Sequence, residues 1–275
     1  MKRILSLGAG VQSSTVLLMS CAGVLPKLDC AIFADTGWEP AGVYSYLEWL
    51  ETQTTAAGIP LHRVSAGNIR EDNLRAHGRG RVRDGHRAAS LPYYTKNADG
   101  SIGAIQRQCT GDYKIAPVEK RIRGLLGLKP RQPWPKAPEV ELWFGISVEE
   151  QRRVRFSKDR WKVHRYPLIF DLPGAFTRHD CLTWLQDRGY PLPPRSACLG
   201  CPFHSKAEWA AIKADPAAWA DVTEFDAAIR HKGGVRGEIF LNRSGVPLVQ
   251  LDLSTPEDRG QGSLFNEECQ GYCGV

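Results

Sequence analysis

The opening of the chain sets short apolar runs against polar, glycine-bearing breaks. Ile4-Leu5 follows a basic start, Ser6 to Ser14 interrupt it, and Val16-Leu17-Leu18-Met19 resumes it. Short apolar runs bounded by turn residues read as buried strands, and longer runs with helical spacing read as helices. The pattern predicts strands over 3–7, 30–34 and 61–65 and helices over 13–21 and 41–56. Val140-Glu141-Leu142-Trp143-Phe144 predicts a further strand, reached through a stiff proline-rich connector at 129–140. Residues 205–214 and 216–230 read as helices, and 240–248 as a hairpin with a turn at Ser244-Gly245. Strands alternating with helices imply an α/β fold with a doubly wound, mostly parallel sheet of Rossmann type. The expected division is an α/β domain over 1–195, with a basic insertion at about 67–108, then a cysteine-bearing helical and hairpin region over 196–275.

The break between the first strand and helix carries chemistry. In Ser6-Leu7-Gly8-Ala9-Gly10-Val11-Gln12-Ser13-Ser14-Thr15, glycines sit where a strand turns into a helix. Such a loop leaves backbone N–H groups free at a helix N-terminus, where the helix dipole favours an anion. Ser13, Ser14 and Thr15 can cap the helix or donate hydroxyls to phosphate. The spacing is neither GxxxxGK[ST] nor GxGxxG. In a parallel sheet ligands bind outside the carboxyl ends of strands. The loop at 8–13 and Asp35-Thr36-Gly37 both fall there, so topology predicts that they are neighbours.

Composition narrows the class. The chain has 275 residues, long enough for a full core, and no apolar run approaches the roughly 20 residues of a membrane helix. The N-terminus lacks a signal-peptide pattern, which leads us to expect a cytoplasmic protein. Net charge is +6 with a pI near 8.9, favouring a phosphorylated nucleotide or a nucleic acid as ligand. Eight cysteines in so long a chain are not a small disulfide framework, and CxxC spacing suits metal or redox work. Residues 67–108 break the α/β pattern. Arg70, Arg75, Arg79, Arg81, Arg83, Arg87 and Arg107 alternate there with glycines, which predicts a long basic insertion. It reads either as a solvated linker or as an anion-gripping or nucleic-acid-binding lid, in which Tyr93 and Tyr94 either stack on a base or pack locally.

The loop, with its Gly10-Val11-Gln12-Ser13-Ser14, resembles the modified P-loop of the PP-loop (adenine-nucleotide alpha-hydrolase) superfamily. Within it, the chain is most similar to the phosphoadenosine phosphosulfate (PAPS/APS) reductase family. Ala31-Ile32-Phe33-Ala34-Asp35-Thr36-Gly37 resembles that family's second strand. Gln108-Cys109 followed by Lys114 and Pro117 resembles its Cys-Cys-x-x-x-Lys-x-x-Pro segment, with Gln108 at the first cysteine. Gly145 to Arg153, Tyr166-Pro167-Leu168 with Thr177 to Asp180, and Cys198-Leu199-Gly200-Cys201 follow in family order, over about residues 1–215. The ATP-cleaving branch carries an aspartate where Ser13 stands.

The resemblance implies an adenine nucleotide, ATP or PAPS/APS, held by Ser6, Gly8, Gly10, Gln12, Ser13 and Ser14. Asp35, Thr36 and Gly37 would contact the nucleotide or a magnesium ion, and Lys114, Arg152 and Arg153 would meet phosphate or sulfate. Cys109 would join Cys198 and Cys201 around a 4Fe-4S cluster or zinc, with Cys273 as a fourth ligand. The tail, Glu268-Cys269 and Cys273-Gly274, is similar to the Glu-Cys-Gly ending of these reductases. It makes Cys269 and Cys273 candidate nucleophiles, with Asp35 a third candidate catalytic residue. The implied reaction is sulfonucleotide reduction or ATP-dependent sulfur transfer, with a sulfur donor or a thiol reductant protein as partner. A nucleic-acid modification enzyme acting on tRNA or DNA, and a zinc-stabilised nucleic-acid-binding module, are the alternatives. Cys21, Cys30 and Cys181 read as small core hydrophobes. His204, three residues past Cys201, is either a ligand or a phosphate contact.

Overall fold

A computed structural model describes residues 1–75, 91–232 and 235–254. Its centre is a five-stranded sheet built from β1 (Lys2–Leu7), β2 (Cys30–Asp35), β3 (Leu61–Ser65), β6 (Val140–Phe144) and β7 (Lys162–Arg165). The strand order is β3-β2-β1-β6-β7, parallel throughout. β2 and β6 are almost wholly buried and β1 is buried at Ile4, Leu5 and Leu7, as apolar runs require for a sheet covered on both faces.

Alternation along each strand divides the core. Leu5, Leu7, Ala31 and Phe33 face one side and pack with α1 (Val11–Cys21), α2 (Ala41–Ala56), Leu168 of the short α5 (Pro167–Phe170) and α6 (Arg178–Gln186). Ile4, Cys30, Ile32 and Leu142 face the other, with Val118 and Ile122 of α4 (Ala116–Leu125), Trp161 and Tyr166. Helices on both faces make the sheet doubly wound. The strand order reverses between β1 and β6, so the crevice at their carboxyl ends is where this topology places a ligand.

The basic insertion is more structured than its composition predicts. It contains α3 (Ile69–Arg75), β4 (Tyr94–Lys96) and β5 (Ile102–Ala104). Arg70 is not a phosphate contact, since it pairs with Asp221 at 2.7 Å and reaches Glu224 at 3.4 Å. Tyr93 is fully buried and donates to Asn73 Oδ1 at 2.9 Å, so it packs rather than stacks on a base. Arg79, Arg81, Arg83 and Arg87 lie outside the described residues.

The turn at Ser244-Gly245 forms, with Gly245 at φ 61°, but β8 (Glu238–Phe240) before it pairs with β4 rather than in a hairpin. The resulting sheet, β5-β4-β8, carries a second core with α7 (Lys206–Lys213) and α8 (Pro216–Ala228). Tyr93, Trp209, Phe225 and Ile239 are its fully buried centre, and Trp38 joins it from the end of β2.

Candidate functional site

The crevice at the switch point opens into a cavity of about 1380 Å³. Its floor is the β1–α1 loop. Gly10 is the N-cap of α1 and no side chain caps that helix, so the first-turn N–H groups lack a side-chain acceptor. Ser13 braces the loop from within: its hydroxyl accepts from Gly8 N–H at 3.2 Å and donates to Gly10 O at 3.3 Å. Ala9 holds φ at 56°, the left-handed conformation that costs a residue with a Cβ roughly 1–2 kcal/mol. Strain of this kind persists where surrounding packing over-determines it, and Ala9 is fully buried.

The opposite wall comes from β6. A Cβ on Gly145 would lie 2.6 Å from the Gln12 carbonyl carbon and closer still to Ser13 N and Cα. Only a residue without a side chain lets β6 run this close to the loop. The 3-10 turn at Val148–Arg153 follows. Gln12 Nε2 donates to Ser147 Oγ at 3.4 Å and Glu150 Oε2 at 3.3 Å, and Glu150 also pairs with Arg153. Lys114, from a π-helical turn at Thr110–Ile115, and Arg152 line the same space, as do Arg178 and Arg195. Lys162 reaches it too, bound to Glu119 at 2.6 Å. Leu142, Phe144 and Val118, which share one core cluster, add apolar lining. The cavity thus joins a helix N-terminus and several cations to a patch able to take a flat base.

The structure brings Ser6, Gly8, Gly10, Gln12, Ser13, Lys114, Arg152 and Arg153 to this cavity. Ser14 is fully buried in α1 and does not line it. Asp35, Thr36 and Gly37 also lie outside the lining, because they build an adjoining turn. Asp35 Oδ1 accepts from Gly37 N–H at 2.7 Å and from the Tyr44 hydroxyl at 3.0 Å. Gly37 is at φ 72°, and its carbonyl accepts from Asn68 Nδ2 at 2.9 Å. Thr36 donates to Glu39 Oε1 at 3.0 Å and sits 3.2 Å from Cys198 Sγ. Glu39 is buried, and its Oε2 has no hydrogen-bond partner among the described residues.

The CxxC turn rests on this unit. Leu199 N–H donates to Trp38 O at 2.8 Å, and Cys201 N–H to Cys198 O at 3.0 Å. A Cβ on Gly200 would meet Trp38 Cζ2 at 2.9 Å and other ring atoms closer. His204 Nε2–H donates to the carbonyls of Cys198 and Leu199, each at 3.1 Å, so that nitrogen braces the turn. Burial, with Arg195 nearby, pushes the His204 pKa down to about 4, leaving the ring neutral. Cys198 and Cys201 are both buried; Cys109 is half-buried and packs against the second core. Among the described residues no three histidine, cysteine or carboxylate side chains are placed to hold a metal ion, so Cys109, Cys198 and Cys201 do not form one there. Cys269 and Cys273 lie outside the described residues. Burial raises the thiols of Cys30 to about 11 and Cys181 to about 12, as core cysteines behave, and that of Cys21, half-buried at the edge of the core, to about 11.

Gly145, Ser147, Glu150 and Arg178 also line the cavity; they lie in segments that carry the resemblance but were given no site role, while Lys162 lies in none of those segments.

No protein-family model matches the chain, and no curated protein is similar to it. Among solved structures, it is similar to the crystal structure of phosphoadenylyl-sulfate (PAPS) reductase from Candida auris in its phosphate complex. The two are 13% identical, with a TM-score of 0.43 over 70% of this chain and 75% of that one. No helix among the described residues is long and apolar enough to cross a membrane.

Proposed function

We propose that this chain is a PP-loop enzyme of the PAPS reductase family that binds an adenine nucleotide and acts in sulfur chemistry. The observation that carries the reading is the uncapped N-terminus of α1, opening into a cavity with Lys114, Arg152 and Arg153 on its walls. Backbone N–H groups of 10–13 and the Ser6 and Ser13 hydroxyls would take the phosphates. Charge-assisted contacts from the cations are about twice as strong as neutral ones. Leu142, Phe144 and Val118 would cover the adenine. Gln12, tied to Ser147 and Glu150, couples the phosphate loop to the turn that carries Arg152 and Arg153.

Two reactions fit this site. In sulfonucleotide reduction a tail thiolate, Cys269 or Cys273, attacks the sulfur of the activated sulfate. The adenosine phosphate leaves with the bond electrons, and a thiol reductant protein then releases sulfite. In ATP-dependent sulfur transfer an acceptor oxygen attacks the α-phosphate and pyrophosphate leaves, before a sulfur donor displaces AMP. The cavity volume favours room for a second substrate, since small-ligand pockets usually run about 300–1,000 Å³. An iron–sulfur cluster or zinc at Cys198 and Cys201 would need ligands beyond the described residues, so neither sequence is routed through a metal. Asp35, held by Gly37 and Tyr44, would act through the turn it orders or through magnesium.

Calorimetry with ATP and with PAPS, followed by product analysis, tests the reading. Adenosine 3′,5′-bisphosphate with sulfite identifies reduction, and AMP with pyrophosphate identifies transfer. Absence of binding to either nucleotide refutes the proposal. Removing residues 268–275 should abolish reduction while sparing nucleotide binding; a transferase should retain pyrophosphate release. Iron, sulfide and zinc analysis of anaerobically purified protein, with Cys109→Ala, Cys198→Ala and Cys201→Ala, tests the metal separately.

A further inference from the structure

We infer that the segment 154–160 beside the cavity mouth is a docking surface for single-stranded nucleic acid, with Phe156 stacking on an unpaired base. Phe156 is 92% exposed, the most exposed large apolar side chain among the described residues. Its presentation is built in. The Tyr166 hydroxyl accepts from Arg155 N–H at 2.9 Å and donates to Arg155 O at 2.6 Å, and His164 Nδ1 lies 2.9 Å from the same carbonyl. Ser157 then closes a turn, accepting from Asp159 N–H and donating to Asp159 O, each at 3.1 Å. Phe156 therefore projects from a chain pinned on both sides, and stacking on it orders little further backbone.

The charge around it is one-sided. Asp159 is the sole carboxylate between 151 and 165, and it is engaged by Lys162 at 3.0 Å. Arg155 donates only to backbone carbonyls, while Lys158 and Arg160 are exposed with no carboxylate partner among the described residues. The neighbouring loop extends the same face. Trp134 stacks on Trp161 at 3.9 Å between centroids, Arg123 lies over Trp134, and Lys129, Arg131 and Lys136 are exposed around them. The segments 120–136 and 151–165 hold thirteen Lys and Arg residues, of which Arg153, Lys162 and Arg165 pair with Glu150, Glu119 and Asp171 from outside them. A cationic face that tracks a backbone, with a projecting aromatic ring, is the recognition chemistry of unpaired strands rather than of duplexes. His164 and Lys162 line the cavity and touch this loop, so a bound strand passes its mouth. The surface stands on its own chemistry; that such a strand is the acceptor in the cavity rests on the function proposed above.

The test is fluorescence anisotropy of the full chain with a labelled 20-nucleotide single strand, from 50 to 200 mM salt, with heparin as competitor. Binding should weaken steeply with salt, with a logarithmic slope of about −0.7 for each phosphate the cationic face neutralises. Phe156→Ala should weaken binding about fivefold to a hundredfold with that slope unchanged. Lys158→Glu with Arg160→Glu should weaken it and flatten the slope. Both variants should bind ATP as the parent does, which separates this surface from the nucleotide site. No binding at 50 mM salt, an unaltered affinity in Phe156→Ala, or equal preference for a duplex would each overturn the proposal.

Discussion

Replacing Gly145 by alanine is the most informative single change in the candidate site. The new Cβ would sit 2.6 Å from the Gln12 carbonyl carbon, and the nearer atoms are Ser13 N and Cα. All three are backbone, so no side chain can swing aside. Relief requires the end of β6 and the start of α1 to separate by about 1 Å to reach ordinary contact. Overpacking of this kind costs about 1–3 kcal/mol. For a domain of this size that corresponds to a fall in melting temperature of roughly 3–10 °C. The displaced atoms carry the N–H groups proposed to hold phosphate. Losing one charge-assisted hydrogen bond, at about 1.5–3 kcal/mol, should lower nucleotide affinity about tenfold to a hundredfold. Gly8→Ala and Gly10→Ala are the matched controls. Their nearest neighbours would be Ser13 Oγ at 3.7 Å and Ser196 Cβ at 3.9 Å, so the ligand-free fold accepts both. Thermal unfolding and calorimetry with ATP on the three variants give the readout. Wild-type stability and affinity in Gly145→Ala, or an equal loss of stability in Gly8→Ala, would refute the close approach of β6 to the loop.

Other expectations follow from the turn and the core. His204 has its pKa lowered to about 4 in the folded state by burial, so the unfolded chain takes up a proton between about pH 6.5 and 4 that the native ring refuses. The associated stability is complete above pH 6.5 and falls as pH drops through that window, by about 3 kcal/mol at most; His204→Gln, measured by urea unfolding at pH 7.5 and 5, should flatten the dependence. An equally steep profile would remove His204 as its source. Gly200→Ala should displace the CxxC turn from Trp38 and shift the tryptophan emission, and an unchanged spectrum with full stability would contradict that packing. Cys21, Cys30 and Cys181, with thiols raised to about 11, 11 and 12 by burial, should resist iodoacetamide at pH 8 in the native protein and react after denaturation. Mass spectrometry after labelling reads this out, and rapid native labelling of Cys181 would be the contrary result.

The central sheet was legible because β1, β2 and β6 carry apolar runs buried between helices. Leu61–Ser65 and Val140–Phe144 match their predicted limits, and β1 and β2 each extend one residue further. β7 was missed since Lys-Val-His-Arg at a sheet edge has no apolar run to announce it. β4, β5 and β8 are three residues each, and Tyr94 pairs with Phe240, so local sequence could not display that ladder. The loop at 8–13 was legible as a turn from strand to helix, but its partners were not. That Gly145 abuts Ser13 depends on how β6 lies beside β1, which no spacing encodes. Asp35-Thr36-Gly37 was visible as a strand-end motif; its bonds to Tyr44, Asn68 and Cys198 come from three separate segments.

Those bonds give the molecule a mechanical link that neither motif suggests alone. Pro193, Pro194, Ser196 and Ala197 form part of the cavity wall, and the chain then turns directly into Cys198. Cys198 meets Thr36, Trp38 O holds Leu199, and the Trp38 indole donates to Asp221 at 2.6 Å in the second core. The cysteine turn is therefore clamped between the carboxyl end of β2 and α8, one residue beyond the wall of the phosphate cavity. A thiol there cannot move without shifting either Trp38 or that wall. A displacement of Cys198 would therefore be passed to Thr36, to Trp38 and to the adjoining cavity wall.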